Sequence, residues 1–344
     1  MAGRSGLDSG AGAFLARVRA YAAAPALPSR PDLAALVEET AAALDAEEPS
    51  LRPPDSHERP GGIVELPALP TVLVPDLHAR PYFIASVLGW TPPGFALPLA
   101  FLLETGRVNL VCLGDVFHSE AGSASRRWAA AYREYASLWA TREAMDEEMR
   151  LSLTTARIVL EAKLAFPANF HCLKGNHENI ADEEGRGDHS FYKFVDEGAM
   201  VVSWFRDSYD EGLLIEYHEL ELDLPLLAIG PNFIASHGEP AFALSRADIV
   251  EYRSRPDVVE ALIWTANGDA EEGSVAQSLD ALLGTEKAEG ALWFAGHRPV
   301  AGKYSLRAGG KFVQFHNPIA TRIVFLESGR APDPNRDILE IPLY

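Results

Sequence analysis

The chain is poor in cysteine, in basic charge and in long apolar runs. Cys112 and Cys172 are its two cysteines in 344 residues. That excludes a disulfide-stapled secreted scaffold, and a reducing, cytoplasmic setting is the expectation. Lysine and arginine total 30 against 49 aspartates and glutamates, a formal net charge of -19. Such a surface repels phosphate backbones and anionic lipid at long range, so a partner that is a nucleic-acid duplex or a membrane is disfavoured. No apolar stretch approaches the ~20 residues that span a bilayer. Arg17 and Arg19 interrupt the alanine-rich N-terminal stretch, which reads as a helix rather than the apolar block of a secretory signal.

What is present suits a globular α/β chain: 47% hydrophobic and 23% charged residues. Residues 1–50 read as two helices split by the prolines between 25 and 31. Residues 52–62, with Pro53, Pro54, Pro60, Gly61 and Gly62, read as a surface loop. The expectation is an N-terminal helical extension and linker over 1–61 and a main domain over 62–344. Short apolar runs at 71–75, 108–113 and 169–173 have the character of buried strands. Residues 123–165 lack proline and glycine and are rich in helix formers. They lie in a helical insertion over 119–168 that could cap a site. Residues 190–221 are expected to be mostly helical. The runs 224–229 and 232–236 flank Gly230 and Pro231 and predict a hairpin. Helices are expected at 97–103, 256–266 and 274–284. Short strands are expected near 291–295, 311–316, 321–327 and 338–342.

Metal-binding side chains recur where these strands end. Asp76 and His78 follow TVLVP, Asp115 follows VNLVCL and a glycine, and Asn176, His177 and Glu178 follow the strand at 169–173 and Gly175. His237 follows NFIAS, and His297 follows ALWFA and a glycine. The C-terminal ends of strands are where α/β sheets place ligand sites. Carboxylate, amide and imidazole donors suit Mn, Fe or Zn better than a thiolate site would. A single carboxylate such as Asp115 can bridge two cations. Two cations roughly 3.5–4 Å apart can hold a hydroxide between them for in-line attack on a phosphoryl group. Each fragment alone is weak, and five of them in this order are not.

The ordered blocks Asp-x-His, Gly-Asp, Gly-Asn-His-Glu, Ser-His and Gly-His resemble the calcineurin-like metallophosphoesterase superfamily, and within it the phosphoprotein-phosphatase branch. The resemblance spans residues 76 to 298. It implies a four-layer sandwich of two mixed β-sheets flanked by helices. It also implies two divalent cations (Mn, Fe or Zn). Asp76, His78 and Asp115 would hold the first, and Asp115, Asn176, His237 and His297 the second. His177 would be the general acid that protonates the leaving oxygen, with Glu178 structural. Three positions depart from the family pattern. His118 stands where an aspartate usually orients the catalytic histidine. Ser119 stands where an arginine usually clamps phosphate. Pro299 stands where many relatives have a further metal histidine, which leaves three protein ligands on the first metal. Arg80, His118, Arg298 and His316 are the substrate-binding candidates, the arginines because guanidinium matches phosphate oxygens in pairs.

The function expected is hydrolysis of phosphomonoesters, on a phosphorylated small molecule or a phosphoprotein, without a covalent phosphoenzyme. The alternatives are a nucleotide phosphodiesterase or dinucleoside polyphosphate hydrolase, and a non-catalytic interaction scaffold on the same fold. Cys112 and Cys172 read as core residues.

Overall fold

The computed structural model describes residues 10–343, so expectations for residues 1–9 lie outside the described residues. Helices α1 (Ala11–Ala23) and α2 (Arg30–Asp45) precede strands β1 (Ile63–Glu65) and β2 (Thr71–Val74). Helices α3 (Pro81–Gly89) and α4 (Leu99–Glu104) lead to β3 (Asn109–Cys112). Helices α5 (Ala124–Ala136) and α6 (Glu143–Ala165) lead to β4 (Phe170–Cys172). After α7 (Glu197–Ser208) and α8 (Glu211–Leu222) come β5 (Leu227–Ile229) and β6 (Phe233–Ser236). Helices α9 (Arg246–Val250), α10 (Pro256–Ile263), α11 (Ser274–Leu283) and α12 (Thr285–Gly290) precede β7 (Leu292–Ala295). The chain continues through β8 (Ser305–Arg307), β9 (Phe312–Gln314), β10 (Arg322–Leu326), α13 (Pro334–Asp337) and β11 (Ile338–Glu340).

The strands form two mixed sheets, ordered β1-β5-β6-β7-β9-β8 and β11-β10-β2-β3-β4. In the second sheet β2, β3 and β4 run parallel, and β10 pairs with β2 antiparallel. Side chains alternate along each strand with period two, and that alternation builds the layers. Leu73, Val111 and Val324 from one sheet share an apolar cluster with Ala235, Phe294 and Val313 from the other. Their strand neighbours Val72, Val74, Leu110 and Cys112 face outward into a core with Phe14, Val37, Phe83, Leu153 and Trp204. Ile234, Trp293 and Ala295 face outward on the other side, against Val259, Leu262 and Leu279. The result is the expected α/β sandwich, helix–sheet–sheet–helix.

Several elements depart from the sequence reading, among them the short helices α3, α9, α12 and α13, which it did not anticipate. β1 and β8 are unexpected; at three residues each, they carry too little pattern to be read. Residues 190–196 are loop, and the helix starts only at Glu197. α6 does not cap anything: Met149, Leu153, Ile158 and Ala162 are buried in the helix-side core, and α6 is the crossover between the parallel strands β3 and β4. α1 and α2 belong to that same core through Phe14, Leu15, Val18, Leu33 and Val37.

A buried charge network fixes the end of α2 to the second sheet. Glu47 lies 3.0 Å from Arg52, 2.5 Å from Lys163 of α6 and 3.5 Å from His171 of β4. Arg52 also donates to the carbonyls of Gly61 and Asp223, which pins the 52–62 loop. Burial acts to raise the Glu47 carboxyl. The hydrogen bond with His171 and the charges of Lys163 and Arg52 outweigh it and bring the pKa down to about 2. Glu47→Gln leaves two buried cations uncompensated and is expected to lower stability by roughly 3–5 kcal/mol at pH 7. A carboxyl depressed in the folded state stabilises above its unfolded pKa near 4.5 and loses that contribution as pH falls toward about 2. Urea melts of both proteins should therefore differ at pH 7, draw closer as pH falls below 4.5 and meet only near pH 2; equal midpoints at pH 7 would remove the role.

Candidate metal centre

The loops leaving β2, β3, β4, β6 and β7 converge at one edge of the sandwich. Their approach is closer than ordinary side chains allow. A Cβ on Gly114 (φ +98°) would lie 2.5 Å from the Gly175 amide nitrogen, and a Cβ on Gly296 would collide with the Asp76 carboxylate. Asp115, His78, His118 and His297 all adopt positive φ, between 43° and 66°. Such strain in non-glycine residues persists only where the surroundings over-determine it. Glu178 is the clasp. Its carboxylate accepts from the amides of Asp115 (2.8 Å), Val116 (2.7 Å) and Gly175 (2.6 Å), binding the β3 and β4 loops together.

The six expected donors meet here. Asn176 Oδ1 stands 3.0 Å from both His237 Nε2 and His297 Nδ1, and those nitrogens are 3.1 Å apart. His237 Nε2 is 3.5 Å from Asp115 Oδ1. On the other side, His78 Nε2 is 3.5 Å from Asp115 Oδ2 and 3.8 Å from Asp76 Oδ2. The backbone sets the tautomers: His237 Nδ1 donates to the Leu113 carbonyl (2.8 Å) and His78 Nδ1 to the Phe117 carbonyl (3.3 Å). Each then turns a lone pair inward, as metal-binding histidines do. The amides of His177 and His297 donate to Asp115 Oδ1 and Asp76 Oδ1, both at 3.0 Å, and fix the two carboxylates.

The electrostatics call for positive charge. Burial pushes the Asp115 carboxyl well above the ordinary range, and Asp76 and Glu178 beside it push the same way. Burial also acts to raise Asp76, but the imidazoles of His316, His237 and His78 hold it low. Burial brings His78 down to about 4 and keeps His237 and His297 neutral. Converging lone pairs, two buried aspartates and a buried Asp76 Oδ2 with no hydrogen-bond partner make a cradle that fits cations, with oxygen and nitrogen donors only. These buried Asp and His groups could hold metal ions.

The remaining expected residues are placed differently. His177 lies beside the donors, its Nε2 3.9 Å from Asp115 Oδ2. His118 does not face substrate. Its ring is buried behind His177, with the two Nδ1 atoms 2.9 Å apart, and packs on Phe191 at 4.0 Å and Trp128 at 5.8 Å. Arg80 does not face it either: its guanidinium donates to the carbonyls of Asp76, Leu77, Asn317, Pro318 and Ala320. Arg298 is half-buried beside His297, and its Nε has no hydrogen-bond partner. Ser119 and Arg127 are both committed to the buried Glu148. His316 sits inside the donor cluster rather than at its rim, its Nε2 3.8 Å from Asp76 Oδ2. Glu120 and Lys193, which the sequence reading missed, form an ion pair at the mouth. Glu120 follows the Gly-Asp block by five residues and was legible as an acid near a metal loop. Nothing in the sequence places Lys193 here.

No protein-family model matches the chain, and no curated protein does. Among solved structures it is similar to a protein serine/threonine phosphatase from Saccharomyces cerevisiae, with a TM-score of 0.54, 15% identity, and coverage of 92% of this chain and 90% of that one. It is also similar to the cold-active protein-tyrosine phosphatase of a psychrophilic Shewanella species, with a TM-score of 0.45, 12% identity and 82% of each chain covered. With two mixed sheets between helical layers and the donor loops at their shared edge, the chain has the fold of that serine/threonine phosphatase.

Proposed function

We propose that the protein is a metal-dependent phosphoesterase that hydrolyses phosphomonoesters at a pair of divalent cations. The observation that supports this most directly is the disposition of Asp115. Its Oδ2 faces His78 at 3.5 Å and its Oδ1 faces His237 at 3.5 Å, so one carboxylate borders two donor sets. Asp76, His78 and Asp115 would hold one cation, and Asp115, Asn176, His237 and His297 the other. Such cations supply Lewis acidity toward the phosphoryl group and the attacking water.

The chain's own residues do the rest. His177 directs an N–H at the leaving oxygen as a hydrogen-bond donor, and His118 decides which of its nitrogens carries it. Burial keeps both imidazoles neutral. His118 Nε2 is buried without a partner, and an N–H there would be a costly unsatisfied donor. The one proton of His118 therefore sits on Nδ1 and is donated to His177 Nδ1. That leaves the His177 proton on Nε2, the atom on the Asp115 side. Arg298, with unspent donors beside His297, and Lys193 at the mouth supply positive charge for phosphate oxygens in place of the arginine that Ser119 replaces. Phe191 packs on the His177 ring at 4.6 Å and keeps solvent off it.

Two variants test the reading. Asp115→Asn should lose bound metal and turnover together, measured by metal content and by release of inorganic phosphate; wild-type turnover would sink it. His177→Asn should retain its metal yet slow hydrolysis by roughly 10²–10⁴. The larger loss should fall on esters with poor leaving groups, and an unchanged rate on those esters would remove His177 from stabilising the leaving oxygen.

A further inference from the structure

The donor set around Asp76, His78 and Asp115 has two further members that no motif announces. His316 lies two residues beyond β9 and is fully buried. Its Nε2 stands 3.8 Å from Asp76 Oδ2 and 2.5 Å from Glu120 Oε1. Glu120 Oε1 in turn is 3.6 Å from His78 Nε2. Separations of 3.5–3.8 Å are too long for hydrogen bonds. They approach the spacing of neighbouring ligands on one cation, since atoms each about 2.1 Å from a centre stand about 3.0–3.4 Å apart at octahedral or tetrahedral angles. Asp76 Oδ2, buried and without a partner, points into the same gap. His316 Nε2 and Glu120 Oε1 lie within hydrogen-bond distance of each other, and a cation bound by both atoms would replace that contact.

We propose that His316 and Glu120 complete the first metal site, giving it five protein ligands against four at the second. The proposal rests on the two-cation reading above and alters its balance. The first cation would be enclosed by Asp76, the shared Asp115, Glu120 and two imidazoles. The second would have a neutral amide, two imidazoles and the shared carboxylate. Anionic ligands bind a cation more tightly than neutral ones, so the first ion would be the slowly exchanging one and open positions would concentrate at the second. Lys193, paired with the other oxygen of Glu120, would hold that ligand from the 190–196 loop.

Titration of the metal-stripped full chain with Co²⁺ tests this, with bound ion counted after dialysis and visible absorption followed. The wild-type protein should take up two ions. His316→Ala and Glu120→Gln should each weaken one of them by at least tenfold and change its absorption band. The other ion should keep wild-type affinity, which also shows that the variant is folded. Asn176→Ala should weaken the opposite ion. If His316→Ala fails to fold, Glu120→Gln at the site mouth decides. Two ions bound with unchanged affinity and spectrum in the variants would overturn the proposal. So would a raised KM with both ions retained, which would make His316 a substrate contact. Failure of the wild-type protein to bind two ions would instead overturn the two-cation reading itself.

Discussion

The candidate centre depends on one buried carboxylate that touches neither substrate nor metal position. Glu178 gathers three backbone amides, two from the β3 loop and one from the β4 loop. Parallel strands bring the two loops near each other, but strand geometry alone does not lock them at the spacing where Gly114 and Gly175 nearly touch. Amide–carboxylate hydrogen bonds are directional and charge-assisted. One acid can therefore set the position of Asp115 and, through the 175–178 turn, of Asn176 and His177. A neutral amide at 178 could accept from fewer of these donors and would bring a donor of its own into a crowded amide cluster.

His177 has a second imidazole, His118, as its neighbour rather than a carboxylate. An anionic partner would stabilise a charged His177, and a neutral imidazole does not. His118 is enclosed by Phe191, Trp128 and the His177 ring, a setting in which a carboxylate would be poorly solvated. The aromatic wall and the histidine are compatible for that reason: a neutral imidazole can be enclosed there without burying a negative charge.

Much of this was legible in the sequence, for a definite reason. Strands such as TVLV and NLVC are continuous apolar runs because both faces are covered, and the polar residues that follow them stand out. That contrast located Asp76, His78, Asp115, Asn176, His237 and His297. The sequence also carried the mixed sandwich and the β5–β6 hairpin. It did not reveal where long side chains turn. Arg80 and His316 were singled out for the right neighbourhood, but the sequence could not say which groups they would meet there. Arg80 spends its hydrogen bonds on the 317–320 carbonyls, and His316 is drawn inward by Glu120 and Asp76. Lys193 was invisible because its position is set by a loop that carries no periodicity. Composition does not separate a crossover helix buried against a sheet, as α6 is, from a lid helix, so the sequence left the role of 119–168 open.

The Glu47 network has a consequence for the order in which the chain can assemble. Glu47 and Lys163 are 116 residues apart in sequence. During synthesis at about 5–20 residues per second, α1 and α2 would emerge on the order of ten seconds before α6 exists to receive them. Through that interval a carboxylate destined for burial must stay hydrated, and the face of α2 that packs on α6 must wait, although α1 can already pack on α3 and α4. The docking of α2 on the sheet therefore waits for α6, which is synthesised well after it.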